Sequence, residues 1–234
     1  MESKNCTEST LRRARLLLVV LVAFTVSACS CEKEKTIVDL SKPPAPLVLQ
    51  SVPHSLETEV YPVEGSTTAR PVAIVLDRTG EMCRKIRDAL GQNAHVLCSQ
   101  LGSKGVGAKV KTALAYLKKS YPRHVDQAPV ALFSGPQNGK VAWRMMLAEP
   151  GFFAHVYIRG LNERVFTSTT LSALNAGGAK TLVVAQENTK RLQFLATVAR
   201  RRGLSLYALG EDPAALSKAF KIIQSADPRF ASAP

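Results

Sequence analysis

The sequence predicts an α/β fold, with a mainly parallel sheet of about six to eight strands flanked by helices. Three observations carry this. From residue 71 onward, short apolar runs alternate with stretches of helical periodicity, the order in which crossover helices return the chain to neighbouring parallel strands. Residues 71–76, Pro-Val-Ala-Ile-Val-Leu, are apolar without alternation, as expected of a strand buried on both faces. A turn bounded by Gly135 and Gly139 separates one such strand from a helix, at the strand end where ligands collect in these sheets.

The elements follow in order. Segments 47–52 and 56–63 are β-candidates. In the second, Leu56, Thr58, Val60 and Pro62 share one side, which suits an outer antiparallel strand. Residues 71–76 form the first parallel strand and 81–90 a helix. A short strand at 94–98 leads to a helix at 108–121, where Val110, Leu114 and Leu117 recur at helical spacing. Strands at 129–133, 153–158, 181–185 and 204–209 then alternate with helices at 139–148, within 165–176, at 189–201 and at 213–225.

The chain opens differently. Arg12, Arg13 and Arg15 precede an apolar run from Leu16 to Ala28, only 13 residues long. A membrane-spanning helix needs about 20 residues. A basic prefix, a short apolar run and small residues at its end describe a signal peptide over 1–28. Its ending, Val26-Ser27-Ala28-Cys29, resembles the lipobox of bacterial lipoproteins. That resemblance implies lipid on Cys29 and attachment to the cell envelope. With Ser30 in the position after the cysteine, it implies the outer membrane. Residues 29–46 are charged and then proline-rich and read as a tether, which leaves 47–234 for the domain.

The net charge is +13. Removing 1–28 takes away four of the 31 basic residues and two of the 18 acidic ones, so about +11 remains on the mature chain. Such a surface attracts polyanions, and in an exported protein these are anionic envelope components. No basic–aromatic pattern points to nucleic acid. Scattered cations also solvate helix faces, and Arg200, Arg201 and Arg202 close a predicted helix where they complement its dipole. No CxxC or Cys/His spacing suggests a metal, and no cofactor is expected. Cys83 lies early in the first helix and Cys98 near the end of the next strand, so the two are placed either to bridge or to remain buried thiols.

The turn after Phe133 reads Ser134-Gly135-Pro136-Gln137-Asn138-Gly139-Lys140. It has the position and glycine spacing of the G-x-S-x-G nucleophile elbow. With this turn, the segment at 128–160 that includes "LAEPGFFA", and the region at 70–100, the sequence resembles the α/β-hydrolase family. The likeness extends to the esterase and depolymerase branch, where a cysteine after the oxyanion loop and another one strand later are frequent. The resemblance implies a hydrolase-like fold and a Cys83–Cys98 disulfide, but the family's chemistry is missing. Gln137 stands where the nucleophile belongs, and an amide has no lone pair for a base to unmask. Asp77-Arg78-Thr79-Gly80 occupies the oxyanion loop. Glu187 could be a displaced acid, and no histidine follows the last strand, where Gly210-Glu211-Asp212-Pro213 stands. Of His54, His95, His124 and His155, none falls on the required loop; His155 reads as a core residue.

The expectation is therefore a domain without catalytic residues that binds a ligand or serves a structural role. Its pocket would be formed by Gly135, Gln137, Asn138, Gly139, Asp77, Arg78 and Glu187. Two competing readings remain. One is a hydrolase with a relocated nucleophile, Ser134, or with an Asp77/Glu187 carboxylate pair. The other is an unrelated doubly wound domain in which the glycine turn and Lys140 receive an anion at a helix N-terminus.

Overall fold

The computed structural model describes residues 58–99, 105–211 and 213–231. The signal peptide, Cys29, the tether, segment 47–52, His54 and Asp212 lie outside the described residues.

Seven strands form one sheet. They are β1 (Glu59–Tyr61), β2 (Val72–Leu76), β3 (His95–Ser99), β4 (Val130–Ser134), β5 (Phe153–Arg159), β6 (Thr181–Ala185) and β7 (Ser205–Ala208). Among the described residues six α-helices accompany them: α1 (Glu81–Leu90), α2 (Val106–Ser120), α3 (Gly139–Ala148), α4 (Ser168–Ala176), α5 (Lys190–Arg201) and α6 (Ala215–Ala226). The spatial order is β1-β3-β2-β4-β5-β6-β7, with β1 antiparallel to β3 and every other pair parallel.

The predicted α/β class is the fold observed, and the unbroken apolar runs explain how it holds together. All five residues of β2 are buried, and they alternate between two cores. Val72, Ile74 and Leu76 face one core, with α2, α3, α4 and α5; Ala73 and Val75 face the other, with α1 and α6. A strand covered on both sides has no face to leave polar. On the α1/α6 side, Phe133 of β4 stacks on Phe220 of α6 with ring centroids 5.5 Å apart.

Local signals set most boundaries, with small corrections. The strand expected over 56–63 is only three residues long. Pro62 has no N–H to give a ladder, and the N–H of Val63 donates instead to Nδ1 of His95 at 3.0 Å. Helix α2 begins at Val106, two residues before the expected start. Helix α5 begins at Lys190 because the Thr189 hydroxyl caps it, accepting from the Leu192 N–H. Helix α6 begins two residues later than expected, at Ala215. Cys83 and Cys98 form a disulfide with Cα atoms 5.9 Å apart, which decides between the two arrangements their positions allowed.

Candidate functional site

The chain leaves β2 through α1 to build outward to β3, whereas it leaves β4 through α3 to build the opposite way to β5. The two connections also pass to opposite faces of the sheet. At such a reversal the loops diverge and a crevice opens at the carboxyl ends of the strands. A cavity of about 260 Å³ lies there. Asp77 and Arg78 after β2 line one side of it, and Gly135, Gln137 and Asn138 after β4 line another. Tyr157 and Arg159 of β5 contribute a third wall.

Two glycines hold the turn against β5. Gly139 begins α3 so close to the end of β5 that a Cβ would overlap the carbonyl oxygen of Arg159 and lie 3.3 Å from its carbon. Gly160 (φ +74°) approaches from the other side, and a Cβ there would overlap the Pro136 carbonyl. Of the two glycines whose spacing resembled an elbow, Gly139 thus has a concrete cause in backbone-on-backbone contact. Gly135 is less tight, with a Cβ 3.2 Å from Oδ1 of Asp77.

The carboxylate of Asp77 is already engaged. It accepts from the Met82 N–H at 2.7 Å, from the Thr79 N–H at 3.3 Å and from the Thr79 hydroxyl at 3.1 Å. It therefore serves the positive end of α1, whose formal N-cap, Gly80, has no side chain to do so. Glu81 is paired with Lys85 on the same helix at 2.6 Å, and that exposed pair holds its carboxyl below the ordinary range.

The other predicted site residues are placed as follows. Gln137 is exposed on the turn and Asn138 is buried beneath it. Gly139 shapes the turn and does not line the cavity. Glu187 is exposed after β6 and is not among the lining residues, so the Asp77/Glu187 pair is not assembled around this cavity. Lys140 is exposed on α3 and likewise does not line it. Among the lining residues that sequence reasoning missed are Arg159, Tyr157, Lys85 and Met82. Arg159 had a signal: it is the last residue of a strand neighbouring the glycine turn.

Among the described residues no histidine lines the cavity. His95 opens β3, where it accepts the Val63 N–H on Nδ1, so the proton on Nε2 points to the His124 carbonyl at 2.9 Å. Burial pushes its pKa below the ordinary 6.5. His155 is near the start of β5, four residues before Arg159, which is about 13 Å along a strand. Its Nε2 faces Asp227 at 3.2 Å, yet burial outweighs that carboxylate and pushes the imidazole below 6.5. Arg229 locks this end of the molecule, donating at 2.6 Å both to Asp227 and to Asp126. The histidine–aspartate pair thus belongs to the floor of the sheet, at the opposite end from the cavity.

Ser134, the last residue of β4, has a side chain with no exposure, and its hydroxyl donates to the Gly135 carbonyl at 3.1 Å. Among the described residues no group of three His, Cys, Asp or Glu side chains is placed to hold a metal ion.

Fold and site together define an α/β protein with a ligand-sized crevice at the switch point of its sheet. No family model matches the sequence, and no curated protein matches it. Solved structures show distant similarity. A protein of unknown function from Agrobacterium tumefaciens shares 10% identity over 72% of this chain and 95% of its own, with a TM-score of 0.46. A structure reported with the carboxylesterases of the thaumarchaeon Nitrososphaera gargenis shares 9% over 74% and 94%, with a TM-score of 0.45. A probable hydrolytic enzyme from Pseudomonas aeruginosa shares 11% over 75% and 89%, with a TM-score of 0.43.

Proposed function

We propose that this chain is a bacterial envelope lipoprotein, processed after residue 28 and lipidated on Cys29, whose hydrolase-like domain binds a ligand without turning it over. The observation that carries the non-catalytic part is the cavity's composition. Gln137 takes the place of a nucleophile, and among the described residues no imidazole lines the space around it. Acyl transfer through a serine needs a base in contact with the hydroxyl and a third group to orient that base. The relocated-nucleophile reading has less support, because the Ser134 hydroxyl is buried and already donates to Gly135. The mature chain's positive charge suits an anionic partner in the envelope.

Restoring a serine tests this reading. Gln137→Ser is expected to give no useful hydrolysis of a short-chain chromogenic ester, and neither wild type nor variant should react with a fluorophosphonate probe. The absent base and the unformed oxyanion loop each cost a factor of about a hundred or more. Turnover by wild type that survives Gln137→Ala would place a nucleophile elsewhere and overturn the reading.

Attachment is tested separately. Cys29→Ser is expected to abolish incorporation of labelled fatty acid and leave an unprocessed precursor. Incorporation that persists in the variant would remove the lipoprotein assignment.

A further inference from the structure

The charges around the cavity do not cancel. Of its two acidic groups, Asp77 is held by the first turn of α1, and Glu81 is paired with Lys85. Arg78 and Arg159 reach the same cavity from the ends of β2 and β5, and neither has an ion-pair or hydrogen-bond partner among the described residues. Between them lies Asn138, which is only 7% exposed and lines the cavity. Its side chain makes no cap hydrogen bond and no other bond to a described residue, although it is the N-cap of α3. Its amide is not sealed from solvent, so the nitrogen and oxygen stay open to a ligand entering the cavity. The positive end of the ten-residue α3 begins at the next residue. Met82, Pro136 and Leu216 supply an apolar wall.

We propose that this cavity binds a small organic anion, its charged group between Arg78, Arg159 and the Asn138 amide and its apolar body against Met82, Pro136 and Leu216. The proposal rests on reading the cavity as a ligand site. The recognised chemistry is a planar or tetrahedral oxyanion, carboxylate or phosphate, on a short apolar chain. Guanidinium groups match both through paired N–H donors. The neutral Asn138 amide adds direction without adding charge.

Titration calorimetry of the full-length chain with hexanoate, hexyl phosphate and 1-hexanol tests it, and the two anions identify the preferred head group. At least one anion is expected to bind about tenfold or more tighter than the alcohol. Arg78→Gln and Arg159→Gln should each weaken that anion about tenfold, and Asn138→Ala should weaken it about threefold. Arg201→Gln, on the exposed end of α5, should leave it unchanged. Arg78 is exposed, so its variant reads the site even where loss of Arg159 disturbs folding. Equal binding of alcohol and anions, no binding of either anion, or equal losses in the Arg78 and Arg201 variants would overturn the proposal. Reaction with the fluorophosphonate probe would remove the non-catalytic reading and leave the anion preference to stand or fall on the titration.

Discussion

Gly160→Ala is expected to lower the unfolding free energy by about 3 kcal/mol and to weaken whatever the cavity binds. Two costs combine. Its φ of +74° lies in the left-handed region, where a Cβ costs about 1–2 kcal/mol. That Cβ would also overlap the Pro136 carbonyl oxygen and lie 2.8 Å from its carbon, and backbone has no rotamer with which to yield. Forcing extra atoms into such a packed contact adds about 1–3 kcal/mol. The shift would pass to Arg159, the preceding residue, and to the glycine turn. Gly178→Ala separates the two costs, because its φ is +94° but nothing lies within 4 Å of the added Cβ. It should lose only the conformational part, about 1–2 kcal/mol. Urea denaturation of both variants makes the comparison. Equal losses would mean that the Gly160–Pro136 approach is not the constraint described here.

Removing the disulfide should have an effect of similar size. The bridge joins the third residue of α1 to the fourth of β3, with a sequence separation of 15. Closing a loop of that length restricts the unfolded chain by about 3 kcal/mol. In a domain of this size that corresponds to a melting temperature lower by roughly 6–12 °C. Both cysteines are buried in the core shared by α1 and α6, so the double variant Cys83→Ala/Cys98→Ala is preferable to serines, whose hydroxyls would lack partners there. Oxidised wild-type protein should be compared with this variant by thermal melting. A double variant that melts within about a degree of wild type would show that the bridge does not constrain the unfolded state.

Much of the architecture was legible because both faces of this sheet are covered. Residues 71–76 carry no alternation, as a strand covered on both faces requires, and the helical stretches between such runs point to an α/β sheet. The helix expected over 189–201 was legible to within one residue, and it starts at Lys190 because the Thr189 hydroxyl caps it. The edge strand was less legible. Apolar alternation over 56–63 says nothing about where the ladder stops, and it stops at Tyr61 because Val63 donates to a histidine 32 residues away.

The candidate site divides in the same way. Gly135, Gln137, Asn138, Asp77 and Arg78 could be named from sequence because each directly follows a strand, and strand ends converge when the sheet is parallel. Glu187 met the same criterion on β6, yet β5 stands between that strand and the cavity's centre at β2 and β4. Arg159 escaped notice because its role depends on β5 lying beside β4 in register, with Ser134 opposite Ile158.

The sequence by itself determined the layering of the domain, the alternation of strands and helices and the absence of any histidine after His155. These are properties of residue type and local order, which periodicity and turn chemistry record directly. Only the tertiary structure decided the strand order, the Cys83–Cys98 pairing and the state of each charge at the cavity. Asp77 is consumed by a helix end, while Arg78 and Arg159 have no ion-pair or hydrogen-bond partner among the described residues. The reason is physical. Whether a charged side chain is satisfied depends on groups brought within about 3 Å by folding, and no one-dimensional pattern encodes that proximity.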